Sequence, residues 1–169
     1  MICLGAAAPF AWRAQPVKRL RADRLASQAR AAASAHENDS ARRLFRDALR
    51  LRPEDLTARR DLAALELSLG HWELALLELQ AIADLHPENA DAFVSLAELQ
   101  LKNGWLEAPE SALDTALELS PDRPDAHRMR AGIRLSLGRY AAAHEDAKAA
   151  SDPALLATTT AILQGAQPP

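Results

Sequence analysis

Residues 53–87, PEDLTARRDLAALELSLGHWELALLELQAIADLHP, lie between two prolines and hold a single glycine, Gly70. Before this glycine, apolar side chains recur at i, i+4, i+7 and i+11, the spacing of one face of an α-helix. These side chains are Ala58, Leu62, Leu65 and Leu69. Glycine tolerates the left-handed conformation that ends many helices, so Gly70 predicts a turn. A second apolar pattern over 73–86 predicts another helix, which ends at Pro87 because proline cannot continue it.

The same plan recurs along the chain with a period of 34 residues. Prolines lie at positions 53, 87 and 121, glycines at 70, 104 and 138, and alanines at 29, 63, 97 and 131. Leucine columns at 51, 85 and 119 and at 67, 101 and 135 share this phase. Several independent columns in one phase indicate a repeat protein. Aromatic residues make up only 4 % of the chain, which favours packed helices over sheets.

The second helix of each unit resembles the tetratricopeptide repeat, a 34-residue helix–turn–helix unit with small, aromatic, small and proline positions. The pattern is kept in Ala41, Phe45, Ala48 and Pro53, and with aliphatic replacements in Ala75, Leu79, Ile82 and Pro87. In the third unit Pro109 stands where alanine is expected, and we expect it in the first helical turn, where it shifts the helix start. In the first helices the usual tyrosine is replaced by Ala32, Glu66, Gln100 and Arg134.

The resemblance implies an all-α fold, a right-handed α-solenoid of about four repeats plus a C-terminal capping helix. We expect an N-terminal tail at 1–21, a repeat domain at 22–153, and a capping helix with a disordered tail at 154–169. The predicted repeats are 22–55, 56–89, 90–123 and 124–153. In the cap, the apolar residues Leu155, Leu156 and Ile162 would cover the last repeat, and Thr158, Thr159, Thr160 and Gln164 would form the polar outer face.

The resemblance also implies a peptide-binding groove lined by the first helix of each repeat. The positions that correspond to this lining are Arg30, Arg60, Ala64, Leu67, Val94, Glu98, Leu101, Lys102, Arg128, Gly132 and Leu135. This mixture of charges and leucines suits a peptide that has apolar anchors and flanking charges of both signs. The lysine and asparagine set with which some family members hold a terminal carboxylate is missing.

The sequence offers no catalytic or metal-binding constellation, and we predict a protein that is not an enzyme and takes no cofactor or metal. No histidine lies four residues from another or from Cys3, and phosphate-binding and serine-hydrolase motifs are absent. The densest polar cluster with a histidine is 144–146, which we interpret as solvated helix surface because neighbours on a helix point in different directions. The carboxylates of 61–122 likewise show no pair in an apolar setting.

Charge is distributed unevenly, although the net charge is only −3. Residues 1–60 hold 13 Lys/Arg against 6 Asp/Glu, whereas residues 61–122 hold 1 against 13. Arg42, Arg46 and Arg50 align on one helix face, but no aromatic residues interleave with them and the acidic middle would repel phosphate. We therefore predict no nucleic-acid partner, and interpret the ridge as a solvated face, a contact for an acidic protein patch or a contact for an anionic membrane.

The first twelve residues, MICLGAAAPFAW, are apolar and a basic run follows them. They are too few to span a bilayer, which needs about 20 apolar residues, and no basic residue precedes them as in a secretory signal. Residues 1–21 are either a tail that packs a few apolar residues on the first helix, or the end of a longer membrane anchor. The predicted location is the cytoplasm, with membrane anchoring as the alternative.

The best-supported hypothesis is a non-catalytic adaptor or scaffold that binds a peptide segment of a partner protein in its groove. The alternatives are a secretion or assembly chaperone and a membrane-tethered assembly factor that uses residues 1–21. Self-association through an open end of the stack stays possible in all three. The chain has 17 Arg against 3 Lys, a balance compatible with a GC-rich bacterial genome.

Overall fold

The computed structural model describes residues 11–165, with side chains from Pro16 onwards. This part of the chain forms nine α-helices and contains no strand. Their bounds are α1 Ala11–Ser34, α2 Asn38–Leu51, α3 Leu56–Ser68, α4 Trp72–Leu85, α5 Ala90–Lys102, α6 Glu107–Leu119, α7 Pro124–Ser136, α8 Tyr140–Ala149 and α9 Pro153–Leu163. The helices follow one another as helix–turn–helix pairs, and α9 packs on α7 and α8. The prediction of an all-α helical repeat with a further C-terminal helix is confirmed.

The turn inside each pair is set by a residue with positive φ. Gly70, Gly104 and Gly138 have φ of 78°, 79° and 72°, which a residue without Cβ adopts without strain. The next residue then donates its backbone N–H to the carbonyl five positions earlier, as His71 does to Glu66 at 2.9 Å. The first pair differs, because His36 holds this place with a φ of 61°.

The chain divides into two compact units, residues 1–82 and 83–169. The first unit buries Ala29, Ala41, Phe45, Ala58 and Leu62 between α1, α2 and α3. In this unit a small residue at each close helix contact leaves room for Phe45 at the centre.

The second unit has a core of the same kind. Ala97, Leu113, Ala116, Ala131 and Ile133 are all exposed by 4 % or less.

All four members of the alanine column, at positions 29, 63, 97 and 131, are buried with exposures between 0 and 2 %. Larger side chains at these positions would push the helices apart.

Three details of the helix ends bear on the sequence predictions. Pro109 is the third residue of α6 and lies within its first turn, as predicted. The helices α4 and α8 start at Trp72 and Tyr140, so a period of 34 residues would place the start of α6 at position 106. The observed start is Glu107, one residue later. Residues 11–21, expected as a tail, belong to α1, so that part of the prediction is wrong; Pro16 lies inside the helix. The predictions for 1–10 and for the end of the tail at 166–169 lie outside the described residues.

The capping helix α9 starts close to the expected position, but it buries one polar side chain that was predicted to be exposed. The Asp152 carboxylate accepts the backbone N–H groups of Ala154 and Leu155 and so caps its N-terminus. Thr159 is wholly buried, so its assignment to the polar outer face is wrong. Its hydroxyl lies 2.9 Å from Nδ1 of His144 on α8 and donates to backbone carbonyls of its own helix. This hydrogen bonding is what makes a buried threonine tolerable.

Candidate functional site

The predicted lining residues lie on the first helix of each pair, and the structure leaves most of them accessible. Seven are exposed: Arg30, Arg60, Ala64, Leu67, Glu98, Lys102 and Arg128. Leu101, Gly132 and Leu135 are partly buried. Val94 is buried with 5 % exposure, so its assignment to an accessible lining is wrong. A β-branched side chain on a helix packed on its neighbours serves the core here, not a surface.

In the first unit, α1, α2 and α3 enclose an open cavity of about 600 Å³. Two of the predicted residues, Arg30 of α1 and Ala64 of α3, line it. Arg30 donates from Nε to Asp61 Oδ2 across the cavity at 2.6 Å. The other lining residues are Ala33, Ser34, His36, Asn38, Phe45, Leu65, Ser68 and Leu69. The cavity therefore combines an apolar lining with a charged pair and several hydrogen-bonding groups.

In the second unit, Arg128 of α7 is tied to the start of α9. Its Nε donates to Asp152 Oδ2 at 2.8 Å, while the other carboxylate oxygen, Oδ1, accepts the backbone N–H groups that cap α9. The N–H of Leu155 and the Arg128 guanidinium together hold the pKa of Asp152 below its ordinary value. Because the two roles of Asp152 use different oxygens, Arg128 can exchange this partner without removing the helix cap.

Behind these exposed residues, buried ion pairs join neighbouring helices. In the first unit Glu66 of α3 is 1 % exposed, and its carboxylate meets the Arg42 guanidinium of α2 at 2.8 Å and His71 Nδ1 at 2.9 Å. The interpretation that the carboxylates of 61–122 sit on polar faces is therefore wrong for Glu66. It is also wrong for Glu110 of α6, which is buried in the second unit.

Glu110 receives Arg134 Nε at 3.0 Å and Arg139 Nη1 at 2.6 Å. Burial acts to raise the pKa of Glu110, but the hydrogen bonds and charges of the two arginines outweigh it and the pKa lies below its ordinary value. Arg134 reaches onward to Asp146 of α8, to which it donates from Nη1 at 2.8 Å. The guanidinium thus joins α6, α7 and α8 through charge-assisted hydrogen bonds, which are stronger than neutral ones.

Asp146 is the centre of this network and is 2 % exposed. The Arg130 guanidinium donates to both carboxylate oxygens of Asp146, from Nε to Oδ2 at 2.9 Å and from Nη2 to Oδ1 at 2.6 Å. His127 Nδ1 lies 2.9 Å from Oδ1. Burial acts to raise the pKa of Asp146, but hydrogen bonds from Arg130 and His127, with the charges of Arg130 and Arg134, lower it overall. The interpretation of 144–146 as solvated surface is therefore wrong for Asp146.

A sequence signal for these buried charges was present. Glu66 and Arg134 stand where the family pattern has tyrosine, and each pairs with a residue 24 positions earlier, Arg42 and Glu110. A comparison of the repeat column at positions 42 and 110 with the column at positions 66 and 134 would have shown opposite charges 24 residues apart. The network joins neighbouring helices and turns its charges inward, so it stabilises the fold.

Two negative observations complete the description. Within residues 11–165, no three His, Cys, Asp or Glu side chains are grouped as metal ligands would be. Across the same residues, no helix has the length and apolar character needed to cross a membrane.

Paired helices in a 34-residue period, with buried alanines and positive-φ turns, define a helical-repeat protein. Two family models of the tetratricopeptide repeat match the sequence, at residues 27–90 and 67–133. The chain belongs to the tetratricopeptide repeat family. Among curated proteins, no sequence matches it.

Solved structures share this fold at low sequence identity. A tetratricopeptide repeat protein from Parabacteroides merdae superposes with a TM-score of 0.71 at 18 % identity, over 86 % of this chain and 59 % of that one. MamA from Desulfovibrio magneticus, solved from residue 41 to its end, superposes with a TM-score of 0.63 at 23 % identity, over 78 % of this chain and 74 % of that one. At such identities the similarity shows the fold alone.

Proposed function

We propose that the protein is a non-catalytic adaptor that binds a peptide segment of a partner protein on the exposed face of its first helices. Tetratricopeptide repeats generally mediate protein–protein interactions, and this membership carries the proposal. In the first unit the surface is offered by Arg30, Arg60, Ala64 and Leu67, and in the second by Glu98, Leu101, Lys102, Arg128, Gly132 and Leu135.

The chemistry of this surface favours a partner segment with apolar anchors and charges of both signs. Leu67 is 42 % exposed, a large apolar side chain that packing inside the chain does not account for. Arg60 and Lys102 are exposed and make no ion pair with other described residues, whereas Arg30 and Arg128 each hold an aspartate. Exposed charges next to apolar side chains steer a partner and set its register more than they add affinity.

Site-specific photo-crosslinking tests the proposal. A benzophenone amino acid at Leu67 is compared with the same amino acid at Leu77, which is 66 % exposed on α4, the second helix of that pair. We expect a partner adduct from position 67 in cells of the source organism, weakened by Arg60→Glu and retained in Arg43→Glu, an equal charge reversal on α2. Adducts of equal yield from 67 and 77 would contradict the proposed face. A chaperone role is distinguished by whether the captured partner becomes insoluble when the protein is absent.

A second candidate function, tethering at an anionic membrane surface, is favoured by the start of α1. Val17 and Leu20 are 65 % and 69 % exposed, and Lys18, Arg19, Arg21 and Arg24 beside them are exposed as well. Apolar side chains among basic ones suit the headgroup region of acidic lipids. Sedimentation with phosphatidylglycerol vesicles but not with phosphatidylcholine vesicles, lost in Val17→Ser/Leu20→Ser, would support it. Equal sedimentation of that variant and the wild type would exclude this helix as the anchor.

A further inference from the structure

We infer that the cavity of the first unit is an anchor pocket for one aliphatic or aromatic side chain of the partner, next to a carboxylate of the same segment. This inference rests on the proposed function and assigns the chemistry of its ligand. The cavity is open to solvent, and its volume of about 600 Å³ is within the range of pockets that hold small ligands.

The apolar part of the pocket comes from all three helices of the unit. Ala33 lies on α1, Phe45 on α2, and Ala64, Leu65 and Leu69 on α3 or at its end. Phe45 is 1 % exposed and belongs to the buried core, so its position is fixed by packing on α1 and α3. A partner side chain placed here exchanges water for the aliphatic carbon of Ala33, Ala64 and Leu69, which are more accessible than Phe45.

The polar part of the pocket offers hydrogen-bond donors that a carboxylate of the ligand can accept. A guanidinium has five N–H donors, and Arg30 gives the one on Nε to Asp61, so the four on its terminal nitrogens remain for a ligand. These four make no hydrogen bond with other described residues, and Arg30 is 47 % exposed. Asn38 adds a further hydrogen-bonding group, whereas Ser34 and Ser68 already donate their hydroxyls to the backbone carbonyls of Arg30 and Leu65. Asp61 also lines the cavity but already accepts from Arg30, so the groups of this pair that stay unpaired include four N–H donors, which a carboxylate of the partner can accept.

His36 distinguishes this pocket from the other turns of the protein. The equivalent positions are Gly70, Gly104 and Gly138, which have no side chain, and all four residues have positive φ. A histidine is less stable than glycine in this conformation, and here its imidazole lines the cavity. Residues held in an unfavourable backbone conformation concentrate at ligand sites. His36 therefore adds a hydrogen-bonding ring to the lining that also contains Arg30.

A phage-displayed library of random dodecapeptides, selected on the full-length wild-type chain, tests the inference. Ala64→Trp fills the pocket from an exposed helix position, and Ala31→Trp, exposed on α1 and outside the pocket, is the matched control. We expect enriched peptides with an aliphatic or aromatic residue within two positions of Asp or Glu. Their affinity should fall about tenfold or more in Ala64→Trp and stay unchanged in Ala31→Trp. Circular dichroism verifies that both variants fold, and Ser68→Phe replaces Ala64→Trp if it does not.

Each outcome separates the pocket from the proposed function. Peptides that bind wild type and Ala64→Trp equally overturn the pocket but leave a peptide-binding protein. An empty selection counts against both. Enriched peptides rich in lysine or arginine overturn the assigned charge. Arg30→Gln provides the second measurement: it should reduce the preference for Asp and Glu over Asn and Gln and keep the apolar preference, and an unchanged acidic preference overturns the role of Arg30.

Discussion

Arg42 of α2 and Glu66 of α3 meet between Nε and Oε1 at 2.8 Å, and the second unit contains the same pair with its charges exchanged. There Glu110 of α6 holds the position of Arg42, and Arg134 of α7 holds that of Glu66, with 3.0 Å between Oε1 and Nε. The charge at a neighbouring position is exchanged as well. Arg46 lies 3.7 Å from Glu66 in the first unit, and its counterpart in the second unit, Asp114, lies 3.5 Å from Arg134. The repeat geometry thus accepts the ion pair in either polarity.

This symmetry predicts that a reversed pair can replace the original one. Arg42→Glu alone places two carboxylates against each other and should lower the free energy of unfolding by about 3–5 kcal/mol, the cost of breaking a buried pair. Arg42→Glu/Glu66→Arg should recover part of this loss, because Arg46, which lies 3.7 Å from Glu66, then faces a like charge. Urea denaturation of the wild type, both single variants and the double variant measures the coupling. The exposed pair Asp47 and Arg50 is the control, with an expected coupling below about 1 kcal/mol. Absence of recovery in the double variant would mean that the surroundings of Glu66 require its negative charge.

The buried carboxylates of the second unit predict loss of stability in acid. The pKa values of Asp146 and Glu110 lie below their ordinary values in the folded protein. The unfolded chain therefore binds protons first, and the stabilisation is present above about pH 4 and is lost as the pH falls through the lowered folded values. Thermal midpoints measured between pH 7 and pH 3 should fall below about pH 4.

Asp146→Asn separates the contribution of Asp146 from those of other acids. It removes the buried carboxylate that Arg130 and Arg134 share, although Asp114 still holds Arg130 and Glu110 still holds Arg134, and should lower the free energy of unfolding at pH 7 by about 3 kcal/mol. Its stability should also depend less on pH below about 4. Glu145→Gln, an exposed neighbour on α8, is the matched control and should behave as the wild type at pH 7. Parallel pH curves for Asp146→Asn and wild type would show that Asp146 does not carry the acid response.

The turn between α1 and α2 predicts a gain in stability on substitution. His36→Gly removes a Cβ from a residue with φ 61° and should raise the free energy of unfolding by about 0.5–1 kcal/mol. Gly104→Ala makes the opposite change at φ 79° and should lower it by about 1 kcal/mol, although nothing lies within 4 Å of the added Cβ. Both values come from denaturation midpoints at a constant slope. A less stable His36→Gly would show that the imidazole contributes contacts that outweigh the backbone strain.

The buried alanine column predicts intolerance to larger side chains. Ala97 is completely buried, so Ala97→Leu should overpack the helix contact and lower the free energy of unfolding by about 1–3 kcal/mol. Ala141→Leu, on an exposed position of α8, should change it by less than about 0.5 kcal/mol. A thermal midpoint for Ala97→Leu equal to that of the wild type would place this residue away from a close helix contact.

The sequence predicted the features that depend on local periodicity. The helix pairs, the turns at Gly70, Gly104 and Gly138, and the early proline of α6 all follow from spacing along one chain segment. The burial of Glu66 and Asp146 could not be found in this way, because it depends on arginines that neighbouring helices supply. Any single helix presents these carboxylates as ordinary polar residues.

The candidate site likewise combines features that the sequence predicted with features that depend on packing between helices. The family resemblance assigned Arg30 and Ala64 to the groove lining, and both residues line the cavity of the first unit. Val94 occupied a position in the same scheme but is buried, because packing by other elements decides burial. The positive φ of His36 could not be predicted, because the glycine column starts only at Gly70 and a histidine at this position gives no pattern of its own.

The exchanged polarity of the two interhelical pairs also bears on how the chain assembles during folding. Repeats of similar shape can stack in the wrong order during folding. Because their apolar faces are alike, hydrophobic packing alone does not distinguish one repeat from another. If α2 met α7 in place of α3, Arg42 would face Arg134; if α6 met α3 in place of α7, Glu110 would face Glu66. Like charges buried together are strongly unfavourable. The two pairs therefore disfavour a swapped order of the helices, because that order would bury like charges together.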